Sequence, residues 1–294
     1  MYNKRSIVKI LFFSSYENRL RSFWRILIVT AILLASIAII GLWGLRGYGF
    51  TIVLAIVMIG ILWLGSRKID RRPISEYGIK FTSGWLKDFL VGNVLAALAM
   101  GGIVLIHIAM GWVEISFEQF KNPSAGFYTG LTVTLIFMAA VSFWEETYFR
   151  GYLIRNLQEG LHFQKSGKSL AVIAAVIISS LFFGLTHFGN PNATWISTLN
   201  ISIAGMVFAY PYIITKSLAI PLGMHLSWNY FQGAVFGLPV SGSQFEHMLM
   251  VAETTGPETF TGGNFGPEAG AAGLLGLMIL LTLNEIYLTV FYSN

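Results

Sequence analysis

The stretch Trp144-Glu145-Glu146-Thr147-Tyr148-Phe149-Arg150-Gly151 sets two adjacent carboxylates and a guanidinium at the end of an apolar run long enough to lie in a bilayer. A charged side chain at membrane depth costs about 2.5–3.5 kcal/mol on insertion scales, so it is retained for a partner or a task. Helical residues four apart share a face, which pairs Glu146 with Arg150 and turns Glu145 about 100° away. Two later apolar segments carry Phe183-Gly-Leu-Thr-His187 and His225-Leu-Ser-Trp-Asn229, each again spaced by four. Peptide hydrolysis without a serine or cysteine nucleophile needs a base for water, a group that tunes the base, and donors for the developing oxyanion. Glu145 as base, His187 as its partner, and His225 with Asn229 as oxyanion donors fill those roles. The same side chains suit two rival readings: a proton or ion path in a transporter, and a non-catalytic scaffold or regulatory protein.

These residues need a membrane bundle to bring them together. The chain has 294 residues, 55% hydrophobic and only 11% charged, with a mean hydropathy of +0.66; soluble domains carry about 25% charged residues. Its fold class is therefore all-α, a polytopic membrane helix bundle of about eight spans around a polar cavity. At 1.5 Å per residue a crossing takes about 20 residues. The expected spans are 26–45, 49–65, 89–110, 129–158, 170–188, 195–215, 218–236 and 271–291. Pro211 and Pro221 should kink or begin their helices.

Basic residues fall in alternate connections: Lys4, Arg5, Lys9, Arg19, Arg21 and Arg25 first, then Arg67 to Arg72, then Arg155, Lys165 and Lys168, then Lys216. That alternation puts both termini in the cytoplasm of a multi-pass protein, and residues 1–25 suit either an amphipathic segment lying partly on the membrane surface or an orientation signal alone. It also accounts for the net charge of +5 without a nucleic-acid partner. The loops at 111–128 and 237–270 are poor in Lys and Arg and belong outside, the second as a long and mobile connection. Asn93 and His107 read as bundle-facing hydrogen-bonders, and Glu285 as a carboxylate near a helix end that reaches the interface. Cysteine is absent, which removes disulfides and thiolate chemistry. The organisation expected is 1–128 for the amphipathic segment and three spans, 129–236 for the chemical module, and 237–294 for the acidic loop and last span.

Glu145-Glu146-x-x-x-Arg150, Phe183-x-x-x-His187 and His225-x-x-x-Asn229, in this order on successive apolar segments, resemble the three motifs of the CAAX-protease and bacteriocin-processing (CPBP, or Abi) family of intramembrane endopeptidases. Phe149-Arg150-Gly151 and Glu76-Tyr77-Gly78 resemble the surroundings of those motifs. The resemblance implies a peptidase acting on membrane-anchored or membrane-proximal peptides, CAAX-type or bacteriocin-like. It implies Glu145 activating water with help from His187, His225 and Asn229 stabilising the oxyanion, and Glu146, Arg150 and Phe183 in supporting positions. No metal or other cofactor is expected; the alternative is zinc held by Glu145, His187 and His225, since imidazole and carboxylate suit that ion.

One conflict stands in the expected spans. Counted by helical rise, His187 lies about 25 Å along its helix and His225 about 10 Å along its own. Straight full-length helices keep them apart, and Gly189-Asn190-Pro191-Asn192 offers a non-helical break that would let them meet.

Overall fold

The computed structural model describes residues 11–14, 18–162 and 168–292. Lys4, Arg5, Lys9 and Lys165, and with them most of the expected amphipathic segment, lie outside the described residues. Eight long helical rods occur: α1 Ser22–Leu42, α2 Gly47–Lys68, α3 Ser83–Ala109, α4 Phe127–Leu161, α5 Lys168–Thr186, α6 Trp195–Thr215, α7 Ala219–Tyr230 continuing through Phe231–Val235, and α8 Ala271–Tyr292. All but α7 are long and apolar enough to cross a membrane, which makes the chain an integral multi-pass membrane protein. The all-α membrane bundle of about eight spans is thus found with seven such helices among the described residues, α7 being shorter and largely buried.

Local chemistry sets the helix ends. Gly44 and Gly47 take φ of 80° and 55°, a conformation open to glycine, and reverse the chain between α1 and α2. Thr82 caps α3 by accepting from the Trp85 N–H at 3.2 Å, and Thr194 with Ser197 forms a reciprocal capping box at the start of α6. Pro221 sits in the first turn of α7, whereas Pro211 is carried inside α6. In α4 the α-helix of Phe127–Glu146 passes into a wide π-helical stretch, Thr147–Ile154, and returns to α-helix at Arg155. Such wide turns re-aim the side chains around them and are frequent at functional sites.

The interior of the bundle is organised around α7. Its residues from Ala219 to Met224 are all buried, and its first turn is fixed by the Leu218 N–H donating to the Gly78 carbonyl at 3.0 Å. It lies backbone to backbone on α3: a β-carbon on Gly92 would come within 2.4 Å of the Ile220 carbonyl oxygen, and one on Gly223 within 2.1 Å of the Phe89 carbonyl oxygen. Small residues let membrane helices approach this closely. Large apolar side chains such as Leu98, Leu105, Ile173, Leu199 and Ile286 face outward, as lipid contact requires.

One end of the bundle is a basic, ion-paired plate. Asp70 lies 3.5 Å from Arg25 and 3.6 Å from Arg72, and accepts hydrogen bonds from Tyr77 at 2.6 Å and Asn156 at 2.9 Å. Glu159 at the end of α4 pairs with Arg72 at 2.7 Å and Arg25 at 2.9 Å. Burial draws down the proton affinity of the Arg72 guanidinium, but Glu159 and Asp70 outweigh it and hold the group above its ordinary value. The plate ties α1, α2, the turn Ile74–Tyr77 and α4 together.

The opposite end is built by the two loops poor in Lys and Arg, which pair with each other. Strand β3, Val113–Ser116, runs antiparallel to β4, Val251–Thr254; β1 and β2 are the short pair Phe13–Ser14 and Arg19–Leu20. The segment 237–270 is not the loose connection expected from its glycines. Phe265 is buried, the Gly242 N–H donates to its carbonyl at 2.8 Å, and Gln232 donates to the Pro239 carbonyl at 2.5 Å. Glycine there serves close packing rather than mobility.

Other expectations resolve as follows. Asn93 hydrogen-bonds back to Phe89 in its own helix at 2.8 Å. His107 is buried, yet neither ring nitrogen has a hydrogen-bond partner among the described residues, which corrects its reading as a bundle hydrogen-bonder. Glu285 is exposed on α8 and accepts from the Tyr210 hydroxyl.

Candidate active site

The two glutamates end the α-helical part of α4 just before its wide turn, and as helix neighbours they point about 100° apart. Glu146 is fully buried, with Oε1 3.0 Å from the Arg150 guanidinium and 2.8 Å from His225 Nδ1. Glu145, 7% exposed, faces a cavity of about 510 Å³ and lies 3.7 Å from His225 Nε2. The imidazole of His225 therefore stands between the two glutamates and addresses each with a different nitrogen. Glu145 Oε2 is buried without a hydrogen-bond partner among the described residues.

Arg150 holds the back of the site. Its guanidinium donates to the Gly205 carbonyl of α6 at 3.3 Å and stacks over the ring of Phe183 at 4.3 Å and, at 5.7 Å, over that of Phe208. Paired charge and aromatic faces together make so buried a cation tolerable. The Phe183 ring in turn lies edge-on to His225 at 6.1 Å and to His187 at 4.8 Å. It is the wall that connects the two histidines.

His187 follows the last residue of α5 and is partly exposed; its Nδ1 sits 2.8 Å from the Phe183 carbonyl oxygen, the contact of an Nδ1–H donor. That leaves Nε2 for the cavity. The depth conflict has a physical resolution: α5 ends at Thr186, residues 187–194 are non-helical, and α7 is an interior helix rather than a full-length span. Both histidines line one cavity. The partner nearest Glu145 is nevertheless His225 and not His187, a change from the pairing expected.

Glu145, Phe183, His187, His225 and Asn229 line the cavity, while Glu146 and Arg150 stand behind it. Asn229, 7% exposed, makes no hydrogen bond to any described residue. Its carboxamide is a free donor and acceptor in the same space as Glu145. As a set of metal ligands the residues do not fit: no group of three or more His, Cys, Asp or Glu side chains that could hold a metal ion occurs among the described residues. The alternative of zinc on Glu145, His187 and His225 thus lacks the convergence a tetrahedral ion needs.

Several cavity residues escaped the reading of the sequence. Asn190 donates to the Ser241 carbonyl at 3.1 Å, and Glu268 accepts from the Ser241 N–H at 2.6 Å and its hydroxyl at 3.0 Å. Burial pushes the Glu268 carboxyl above its ordinary value, against the hydrogen bonds from Ser241. No local pattern marks Glu268, because the loop that carries it reaches the site only through tertiary packing. Asn200 did have a signal, a carboxamide inside an apolar span.

The family model described as type II CAAX prenyl endopeptidase, Rce1-like, matches residues 127–231. That stretch opens at the first residue of α4, ends one residue past Tyr230 and contains all seven motif side chains. No curated protein and no solved structure matches the chain. Over residues 127–231 the chain is thus similar to the Rce1-like type II CAAX prenyl endopeptidases, membrane proteases.

Proposed function

We propose that this chain is an intramembrane endopeptidase that hydrolyses a peptide bond of membrane-associated, CAAX-type substrates with a water activated by Glu145. The observation that carries the reading is the unpartnered Glu145 Oε2, buried on the wall of a cavity shared with His225, His187 and the free Asn229 carboxamide. A carboxylate so placed takes a proton from water as the oxygen attacks the carbonyl carbon, then returns it to the leaving amine nitrogen as the C–N bond breaks. Asn229 donates to the tetrahedral oxyanion, a contribution of roughly 3–4 kcal/mol for one well-placed donor. His225, oriented by Glu146, presents Nε2 to the same space, and His187 offers a second imidazole at the rim. Glu146 and Arg150 fix that arrangement from behind. The basic plate is assigned to the cytoplasmic side of the cell membrane and the β3–β4 loops to the other, with both termini cytoplasmic.

The test is cleavage of a membrane-peptide library, including prenylated CAAX-type and bacteriocin-leader peptides, by the wild type and Glu145→Gln in liposomes, with and without a chelator. Products from the wild type alone, insensitive to chelation, are expected. Equal cleavage by both proteins overturns the assignment of the base, and loss on chelation overturns the metal-free route.

A further inference from the structure

Five asparagines lie in the long helices, and they fall into two groups. Asn93, Asn156 and Asn284 each donate to the carbonyl four residues back, at 2.8, 3.0 and 3.1 Å. That internal bond is how a polar side chain is ordinarily satisfied inside an apolar helix. Asn200 and Asn229 make no such bond, have no partner among the described residues, and both line the cavity. Asn200 is only 6% exposed. The amide atoms of both are absent from the sealed, unsatisfied polar atoms of the interior, so both carboxamides open onto the cavity with their donor and acceptor available to a ligand.

The position of Asn200 defines what it can reach. Helices α5 and α6 are in close contact: a β-carbon on Gly184 would lie 2.5 Å from the Thr198 carbonyl oxygen, and one on Gly205 would lie 3.0 Å from Ser180 Cβ. This antiparallel register sets Asn200 level with the turn of α5 between Phe183 and His187. Asn200 therefore shares the cavity of Glu145 and stands beside the Phe183–His187 turn that borders it. A carboxamide pairs an N–H donor with a C=O acceptor, the complement of a peptide group.

We propose that Asn200 is a substrate-binding residue that grips the main chain of an extended peptide beside the scissile bond, an assignment that rests on the peptidase reading above. It selects extended backbone rather than any one side chain. Because the grip is on the main chain, it tolerates varied sequences and rejects a peptide whose amide at that position is replaced.

The test uses the purified full chain in detergent with Glu145→Gln to block turnover, and a fluorescent farnesylated peptide ending in a CAAX sequence as probe. Adding Asn200→Leu is expected to weaken binding about tenfold without lowering the melting temperature. A series of probes in which one amide at a time becomes an ester should contain one that costs the Glu145→Gln protein as much, and costs the double variant nothing further. Equal affinity with and without Asn200→Leu overturns the proposal. If the probe binds neither protein, the substrate assignment has failed and melting alone decides the role of Asn200. A raised melting temperature in Asn200→Leu then supports an amide kept for a ligand, and a lowered one makes it structural and overturns the proposal.

Discussion

Glu146 and His225, 79 residues apart in the chain, meet at 2.8 Å in the interior of the bundle. The contact uses the same carboxylate oxygen that lies 3.0 Å from Arg150, so one atom of Glu146 anchors both an arginine and a histidine. Its neighbour Glu145 approaches the other ring nitrogen at 3.7 Å and makes no hydrogen bond through Oε2 among the described residues. Consecutive glutamates thus carry opposite duties, one holding the scaffold of the site and the other facing the cavity.

This division predicts opposite stability effects. Glu146→Ala strands the buried Arg150 cation, and breaking a buried pair on one side costs about 3–5 kcal/mol. Glu145→Gln removes a charge whose Oε2 has no hydrogen-bond partner to lose. Melting in detergent should show a large fall for the first variant and none for the second. A comparable fall in both would put Glu145 in the scaffold and remove the basis for its role as base.

The contact of α3 with α7 predicts a second asymmetry, between two glycines of one helix. A β-carbon on Gly92 would press on the Ile220 carbonyl, whereas one on Gly101 meets nothing within 4 Å. Gly92→Ala should cost about 1–3 kcal/mol through overpacking, and shift His225 with the rest of α7, lowering cleavage as well. Gly101→Ala should be neutral or stabilising by up to about 1 kcal/mol, since alanine favours the helix. Urea or thermal unfolding of the two variants, side by side, decides it.

How far the site could be read from the chain depends on the range of the interactions involved. The pairing of Glu146 with Arg150 is set by spacing within one helix, and the clustering of Phe183, His187, His225 and Asn229 follows from the need of membrane-buried polar groups for partners. Helix existence was legible for the same reason, because about 20 apolar residues without charge leave no other use in a bilayer. What was not legible depends on rotation and depth. No hydropathy pattern encodes the π-helical stretch after Glu146, and the interior position of α7 places His225, not His187, against Glu145. The Arg25, Asp70, Arg72 and Glu159 plate looks in sequence like scattered orientation charges. The loop 237–270 looks like slack because its glycines serve close packing, a purpose visible only once Glu268 and Ser241 are seen on the cavity wall.

Glu268 predicts a pH dependence with a definite sign. Its carboxyl is held above the ordinary value near 4.5 by burial. A raised folded-state value means the native protein binds the proton more tightly than the unfolded chain, so stability falls as pH rises. The loss begins near the unfolded value and is complete above the raised folded one. Across that window the wild type should lose melting temperature with rising pH, and Glu268→Gln, which cannot ionise, should lose less. Equal slopes would show that Glu268 is ionised as readily in the folded protein as outside it.

The sidedness of the bundle is open to a direct test because the chain has no cysteine, so one introduced thiol at a time reports its own location. Lys80 and Ser124 are exposed residues near opposite ends, the first following the ion-paired plate and the second following β3. Cytoplasmic loops carry an excess of Lys and Arg, so the clustering of Arg67, Lys68, Arg71 and Arg72 predicts a cytoplasmic plate end. A membrane-impermeant maleimide should label Ser124→Cys in intact cells and Lys80→Cys only after permeabilisation. The reverse pattern would invert the protein in its membrane, and with it the side on which the loop carrying Glu268 and Ser241 meets solvent.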